Sequence, residues 1–163
     1  MSDKLKGPAL KGSIWFESEW LPTTKNTEEF LNSYWEGCRI ILDKMSNKEI
    51  EDAIDALFKA WKNGNTVYTF GNGGSAGNAS HLAADLSKTI ITEGKPRLRC
   101  ICLNDNASLG TAWTNDEGWE SVYEGQLENH LKPGDVCIAM SVHGGSMSGN
   151  AGKWSQNLMK GLK

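Results

Sequence analysis

Two short segments rich in glycine and serine each follow a predicted strand and precede a predicted helix. The first reads GNGGSA at 71–76, and the second reads SVHGGS at 141–146. Glycines let the backbone come close to a ligand, and the first N–H groups of a helix favour an anion. The hydroxyls of Ser75, Ser141 and Ser146 add further donors. Each segment therefore predicts a cradle for a phosphate group.

The first segment also matches the G-x-G-x-x-A fingerprint of dinucleotide sites, so by itself it leaves the ligand ambiguous. A simple tight turn without a ligand is a further alternative. The second segment favours one phosphate monoester, because the carboxyl ends of two parallel strands open into one crevice. A dinucleotide requires only one such loop. We therefore expect no dinucleotide cofactor, and a dinucleotide-dependent oxidoreductase is the less favoured hypothesis.

A histidine and an aspartate lie on the helix predicted after the first segment. His81 and Asp85 are four residues apart, so both side chains share one helical face. Such a pair can hold a metal ion or place a base beside a substrate. The spacing alone is equally typical of an exposed polar face. Its position after a phosphate-binding loop favours the functional interpretation.

Hydrophobic periodicity predicts the elements that position these residues. Strands alternate with helices after Gly64, which indicates an α/β fold with a parallel sheet. Three strands make a thin sheet, so we expect either a sheet truncated before its last strands or a partner that covers the edge. Strands are predicted at 66–70, 97–103 and 135–141, and helices at 75–88, 107–113, 119–130 and from about 150 to 163.

The chain before the first strand is predicted to be helical. Apolar residues recur at helical spacing from Phe30 to Met45, and Ser46 with Glu49 predicts a capping box for a second helix that ends at Asn63. We expect three parts: an N-terminal arm (1–25), a helical hairpin for oligomerisation (26–64) and a phosphate-binding domain (65–163). The arm contains Trp15 and Trp20 and packs either on another subunit or on its own domain.

Composition excludes several classes of protein. The chain has 163 residues and a formal net charge of −3, with 17 Lys and Arg against 20 Asp and Glu. The sequence has no cluster of Lys and Arg that would predict nucleic-acid binding, and it has no apolar run long enough to predict a membrane span. The N-terminus shows no secretory signal, so we expect a cytoplasmic protein. The four cysteines have no C-x-x-C spacing and are predicted to be buried free thiols.

Three motifs in order resemble those of the sugar isomerase (SIS) domain family and, within it, the phosphoheptose isomerases. They are FGNGGSAGNASHLAADL from Phe70, NDNASLGTAWTNDEGWESVYEGQL from Asn104 and KPGDVCIAMSVHGGS from Lys132. The resemblance implies a three-layer, flavodoxin-like or Rossmann-like parallel sheet. It also implies aldose–ketose isomerisation of a phosphosugar such as sedoheptulose 7-phosphate through an enediol(ate), and assembly into homotetramers.

The resemblance also suggests roles for individual residues. His81 and Asp85 match the positions of a base and of ligands for a metal, for which Zn²⁺ is the candidate. Asp116 is similar to an acidic residue that hydrogen-bonds sugar hydroxyls. The implied ligands of the sugar phosphate are Asn72, Gly73, Gly74 and Ser75 in the first loop and Ser141, His143 and Ser146 in the second.

The chain departs from the family pattern at several positions. Asp85 stands where the family usually has the longer glutamate, and Val142 and His143 replace hydroxyl residues. A glutamine and a histidine of the family's metal and acid/base set belong to a C-terminal helix beyond residue 163. We therefore expect phosphosugar binding with weak catalysis. A non-catalytic phosphosugar-binding or regulatory protein is the alternative.

Overall fold

The computed structural model describes residues 26–142 and 155–163, and the arm at 1–25 lies outside them. The chain divides into two compact units, one up to Ile50 and one from Glu51 to Lys163. Within the described ranges, no helix is both long enough and apolar enough to cross a membrane. The predicted division into arm, hairpin and phosphate-binding domain stays a prediction.

The elements follow the predicted order, and each strand begins and ends within about two residues of its predicted bounds. They are α1 (Thr27–Asp43), α2 (Asn47–Asn63), β1 (Thr66–Gly71), α3 (Gly74–Ala84), a π-helical turn (Asp85–Thr89), β2 (Arg99–Cys102), α4 (Ala107–Glu117), a 3-10 turn (Trp119–Ser121), α5 (Glu124–His130), β3 (Val136–Met140) and α6 (Gln156–Gly161).

Local side-chain bonds explain where α1 and α2 begin. Asn26 Oδ1 accepts a hydrogen bond from the Glu29 N–H at 2.9 Å. Ser46 Oγ accepts one from the Glu49 N–H at 3.2 Å, which confirms the Ser46 half of the predicted capping box. Such bonds satisfy backbone donors that have no partner within the helix. After α2 ends, Gly64 has a φ of +69°, a conformation that glycine adopts easily.

The three strands form a parallel sheet with β1 in the centre, in the order β2-β1-β3. Thr69 of β1 pairs with Cys102 at the end of β2, and Gly71 pairs with Met140 at the end of β3. All three carboxyl ends therefore lie at one edge of the sheet. The loops that follow β1 and β3 leave it side by side, as the sequence predicted.

Helices cover both faces of β1, so the second unit has three layers. Tyr68 and Phe70 pack on one face with Tyr123, which directly precedes α5, with Leu127 of α5 and with Leu158 of α6. Val67 packs on the opposite face against α2, and Ala79 and Ala83 of α3 pack on that same face nearer the ends of the strands. Burial on both faces is typical of a central parallel strand and confirms the predicted α/β class.

The bounds of several predicted helices differ from the structure, and the helix predicted at 107–113 continues to Glu117. The helix predicted at 75–88 ends at Ala84 and continues as the π-helical turn. Gly118, with a φ of +88°, ends α4, and the helix predicted at 119–130 is divided into a 3-10 turn and α5. Hydrophobic spacing does not distinguish these tighter and wider turns from a regular helix.

Candidate functional site

The first loop joins β1 to α3 within two residues. Gly73 has φ +55° and ψ −124°, a combination that suits glycine and not residues with a side chain. The Ser75 N–H donates to the Asn72 carbonyl at 3.0 Å, and the Ala76 N–H donates to the Gly73 carbonyl at 3.0 Å. Helix α3 therefore begins directly at the carboxyl edge of the sheet, where its N-terminus favours an anion.

Gly71 is required because the loop folds back onto the end of β1. A Cβ at this position would lie 2.7 Å from both the carbonyl carbon and the carbonyl oxygen of Ser75. These are backbone atoms, so they cannot move aside without changing the loop. The glycine thus brings the start of α3 against the last residue of the strand.

The second loop begins beside the first one. Met140 pairs with Gly71, so Ser141 and Asn72 follow neighbouring strand residues. Ser141 Oγ lies 3.3 Å from Ser155 Oγ, just before α6. The other two predicted ligands of this loop, His143 and Ser146, lie outside the described residues. Their roles, and phosphate binding by the first loop, stay predictions.

Two polar residues that the sequence analysis did not single out support the first loop. Asn104 Nδ2 donates to the Gly71 carbonyl at 3.0 Å, and its Oδ1 accepts from the Gly71 N–H at 3.1 Å. The Tyr123 hydroxyl contacts the same carbonyl and lies 3.2 Å from Asn72 Oδ1. Burial raises the pKa of Tyr123, so its hydroxyl keeps its proton at neutral pH.

A third such residue is Asn157 of α6, whose side-chain amide pairs with that of Asn72. Asn104 could have been predicted from the sequence, because it closely follows the end of β2 and so belongs at the carboxyl edge. Tyr123 and Asn157 carry no such signal, because each is a single polar residue, one just before α5 and one within α6, and its partner is far away in the chain.

The structure brings His81 and Asp85 together, as the helical spacing predicted. His81 Nε2 lies 3.3 Å from Asp85 Oδ2, and the side chains are 80% and 48% exposed. Thr89 Oγ1 donates to Asp85 Oδ1 at 3.0 Å. The pair occupies the end of α3 and the start of the π-helical turn, a kind of turn that is frequent at functional sites.

Asp116 lies in the last turn of α4 and is exposed. Its Oδ1 accepts a hydrogen bond from Asn115 Nδ2 at 2.7 Å. Among the residues that the structure describes, no hydrogen bond or ion pair joins Asp116 to the first loop. For the predicted contact with sugar hydroxyls to form, a substrate held at the first loop would have to extend as far as Asp116.

The four cysteines are free thiols, as predicted, although only Cys102 is buried and the other three are partly exposed. Burial raises the pKa of Cys100 to about 11, and burial also raises the pKa of Cys102 and of Cys137. A thiolate, not a thiol, is the effective nucleophile. These three residues on β2 and β3 are therefore unsuited to nucleophilic catalysis at neutral pH.

The predicted zinc site has two candidate ligands, His81 and Asp85. Protein sites for zinc normally supply three or four. Within 26–142 and 155–163, no group of three or more His, Cys, Asp or Glu side chains is arranged to hold a metal. The described residues therefore do not complete a zinc site by themselves.

Comparison with known proteins places this site in context. The family model of the SIS domain matches residues 33–150 of this chain. The chain is 55% identical over 93 residues to the lincomycin biosynthesis protein LmbN of Streptomyces lincolnensis, covering 57% of this chain and 34% of that protein. It is 40% identical over 116 residues to the phosphoheptose isomerase of Aquifex aeolicus, covering 71% and 56%.

A solved structure has the same fold. Phosphoheptose isomerase GmhA from Neisseria gonorrhoeae superposes with a TM-score of 0.65 and 26% sequence identity, covering 83% of this chain and 66% of that one. The chain spans about a third of LmbN and just over half of the Aquifex isomerase.

Proposed function

Because the chain belongs to the SIS domain family, we propose that it acts in aldose–ketose isomerisation of a phosphosugar, with sedoheptulose 7-phosphate as the substrate to test first. Relatives named phosphoheptose isomerase support this substrate class. The motifs on which the resemblance rests include the first loop and the helix that carries His81 and Asp85.

One observation carries the proposal: the first loop and Ser141 leave neighbouring parallel strands at the same edge. Gly71 and Gly73 give the first loop a backbone path that only glycine allows. A phosphate placed there meets the N-terminus of α3 and the hydroxyls of Ser75 and Ser141. Phosphate binding at helix N-termini is a general consequence of their unpaired N–H groups and dipole.

The proposed chemistry is a proton transfer between adjacent carbons. With the phosphate held by the loops, Asp85 removes a proton from the carbon next to the carbonyl and returns it to the neighbouring carbon, through an enediol(ate). The proton of the hydroxyl on the first carbon passes to the original carbonyl oxygen. The aldehyde and the ketone are isomers, so the reaction needs no oxidant. His81 orients the Asp85 carboxylate, and Asp116 orients the sugar hydroxyls.

A second candidate function is phosphosugar binding without isomerisation. Asp85 favours this candidate, because its side chain is shorter than the glutamate of the family pattern and reaches less far toward a substrate. The described residues also offer two ligands for zinc and not three. We keep zinc as a proposal in which His81 and Asp85 contribute, with further ligands from outside the described residues or from another chain.

Two further expectations are proposals as well. We propose a homo-oligomer, in the form of a tetramer, that forms through α1 and α2. The exposed apolar side chains of α1 include Tyr34, Trp35, Ile41 and Leu42, and those of α2 include Ile54 and Phe58. Exposed apolar groups of this extent mark interaction surfaces. A cytoplasmic location is likewise proposed, and cell fractionation tests it.

The function is tested by titrating the protein with sedoheptulose 7-phosphate in a calorimeter and by assaying its isomerisation with and without Zn²⁺. Binding together with turnover supports the isomerase. Binding without turnover in either condition supports the second candidate. An absence of binding contradicts both, and equal binding of sedoheptulose, which has no phosphate, contradicts the assignment of the loops.

A further inference from the structure

Helix α6 contributes one fully buried amide, Asn157, to the carboxyl edge of the sheet. Asn72 Nδ2 donates to Asn157 Oδ1 at 2.9 Å, and Asn157 Nδ2 donates to Asn72 Oδ1 at 2.8 Å. Asn157 Oδ1 also accepts from the Leu158 N–H at 3.0 Å. A buried amide that loses a partner is costly, so this pairing strongly favours one orientation of both side chains.

The hydroxyl of Tyr123, the residue just before α5, supports the same orientation. It lies 3.2 Å from Asn72 Oδ1, so that oxygen has both Tyr123 and Asn157 Nδ2 as neighbours. Asn104 Nδ2 donates to the Tyr123 hydroxyl at 2.8 Å, which directs the hydroxyl proton toward the loop. The Asn72 oxygen therefore faces the protein, and among the described residues one N–H of Asn72 Nδ2 has no protein acceptor.

Ser155 shows that the start of α6 is held in an unfavourable conformation. Its φ of +51° and ψ of +37° are left-handed, which is uncommon for a residue other than glycine. Backbone strain of this kind persists only where the contacts of the surrounding structure hold the residue in that conformation. Here it occurs two residues before Asn157 and beside Ser141 Oγ, where α6 meets the ends of β1 and β3.

We propose that Asn157 is a positioning residue for substrate binding. It holds the Asn72 amide so that the free N–H of Nδ2 is presented to the sugar phosphate. The inference rests on the proposed function, because it takes a phosphosugar as the ligand of the first loop. Asn157 is fully buried and pairs with Asn72, so its effect on a ligand is exerted through the loop.

The test compares Asn157→Ala with Gln126→Ala. Gln126 is a matched control, since it is a buried amide whose Nε2 donates to the Val122 carbonyl at 2.8 Å within α5. Tyr123→Phe is a second variant, which removes the hydroxyl and keeps the ring against Phe70. Hydrogen exchange of the 71–76 segment is measured without ligand, and affinity for sedoheptulose 7-phosphate is measured by calorimetry. Melting temperatures are recorded for the unaltered protein and for every variant, including Asn157→Gln.

We expect Asn157→Ala to speed amide exchange in the first loop and to weaken phosphosugar affinity by about tenfold, as the loss of one to two hydrogen bonds predicts. Tyr123→Phe is expected to act in the same direction. Gln126→Ala should lower the melting temperature and leave both loop exchange and affinity unchanged. Asn157→Gln, which retains an amide, is expected to restore part of the affinity.

Unchanged loop exchange and affinity in Asn157→Ala would overturn the inference, whatever the result for Tyr123→Phe. So would an equal loss of affinity in Gln126→Ala, because the effect would then follow stability alone. If the unaltered protein does not bind the phosphosugar, the proposed function fails, and loop exchange alone then decides whether Asn157 positions Asn72.

Discussion

His81 Nε2 lies 3.3 Å from Asp85 Oδ2, and the two residues are one helical turn apart. Both side chains are substantially exposed, so the pair contributes little to stability. Its removal should therefore affect catalysis far more than folding. This separation of effects makes the pair well suited to mutational tests.

Asp85→Asn is expected to reduce any isomerisation of sedoheptulose 7-phosphate by roughly 100- to 10,000-fold, the usual loss when a general base is removed. The change in stability should stay within about 0.5 kcal/mol, as is usual for exposed sites. Asp55→Asn, an exposed aspartate on α2, is the control and should retain full activity. Turnover that survives in Asp85→Asn would contradict the assignment of Asp85 as the base.

Ser75→Ala should weaken phosphosugar binding by about tenfold, because it removes one hydroxyl that bonds to a charged phosphate. Ser75 follows the first residue of α3 and is only partly buried, so the melting temperature should change little. Calorimetry measures the affinity, with Ser108→Ala on the exposed surface of α4 as the control. Equal affinities in the two variants would show that the first loop does not bind the phosphate.

Two glycines only six residues apart should respond in opposite ways to alanine. Gly71→Ala places a Cβ 2.7 Å from the backbone of Ser75 and should destabilise the protein by about 1–3 kcal/mol or more. A Cβ at Gly77 meets nothing within 4 Å, so Gly77→Ala in α3 should stabilise it by about 0.5–1 kcal/mol.

Urea unfolding monitored by circular dichroism gives both changes in free energy. Destabilisation of similar size in the two variants would mean that the loop does not fold back on β1 as the structure shows. A neutral result for Gly71→Ala would mean the same.

Asp135 is expected to make the protein sensitive to acid. Burial by itself would raise the pKa of Asp135, but the hydrogen bonds that its carboxylate accepts from the Thr66 and Lys132 N–H groups and from Asn65 outweigh burial and lower it below the ordinary 3.8. A lowered pKa in the folded state stabilises the protein above about pH 4. That contribution is lost as the pH falls through the folded-state pKa.

Asp135→Asn should therefore cost about 1–3 kcal/mol at pH 7, the scale of hydrogen bonds to a charged group. At pH 3 the cost should be smaller, because this carboxyl in the unfolded chain, with its ordinary pKa of 3.8, has then largely taken up its proton and the advantage of the charged folded form is reduced. Urea titrations at both pH values measure this difference, with Asp55→Asn as the control. A cost that does not depend on pH would contradict the electrostatic explanation.

The oligomer is tested on the apolar stripe of α1. Tyr34 and Ile41 are seven residues apart on one helical face, and both are exposed. The double variant Tyr34→Glu/Ile41→Glu should dissociate the assembly, because charged groups are disfavoured in interface cores. Sedimentation velocity reports the mass.

The control for this test is Asn32→Glu/Arg39→Glu, which adds two acidic residues at the same spacing on another face of α1 and should leave the assembly intact. A monomeric parent protein would contradict the proposed oligomer. Assembly that persists in Tyr34→Glu/Ile41→Glu would show that the interface lies elsewhere.

The parts of the fold that could be predicted from the sequence are those with a local signal. Alternation of strands and helices indicated the parallel sheet, and Ser46 with Glu49 marked the start of α2. The glycines of the first loop predicted a backbone that approaches a ligand. His81 and Asp85 could be paired because helical spacing alone puts them on one face.

The support of the first loop could not be predicted in the same way. Asn72 and Asn157 are 85 positions apart, and Gly71 and Tyr123 are 52 apart. A polar residue within a helix contributes nothing to a hydrophobic period, so no pattern marks it as buried. The hydrogen-bond partners of Asn72 and Gly71 depend on how α5 and α6 pack on β1. That packing is established only when the whole sheet has assembled.

The central position of β1 has a consequence for synthesis of the chain. Val67 of β1 pairs with Val136 of β3. The ribosome therefore makes β1, on which both other strands pair, long before it makes β3. At about 5–20 residues per second, this apolar strand leaves the ribosome roughly 3 to 14 s before β3 exists. During that interval its hydrogen-bonding edge is open to other nascent chains. Aggregation during expression should therefore fall when translation is accelerated after Phe70 or when a chaperone binds this segment.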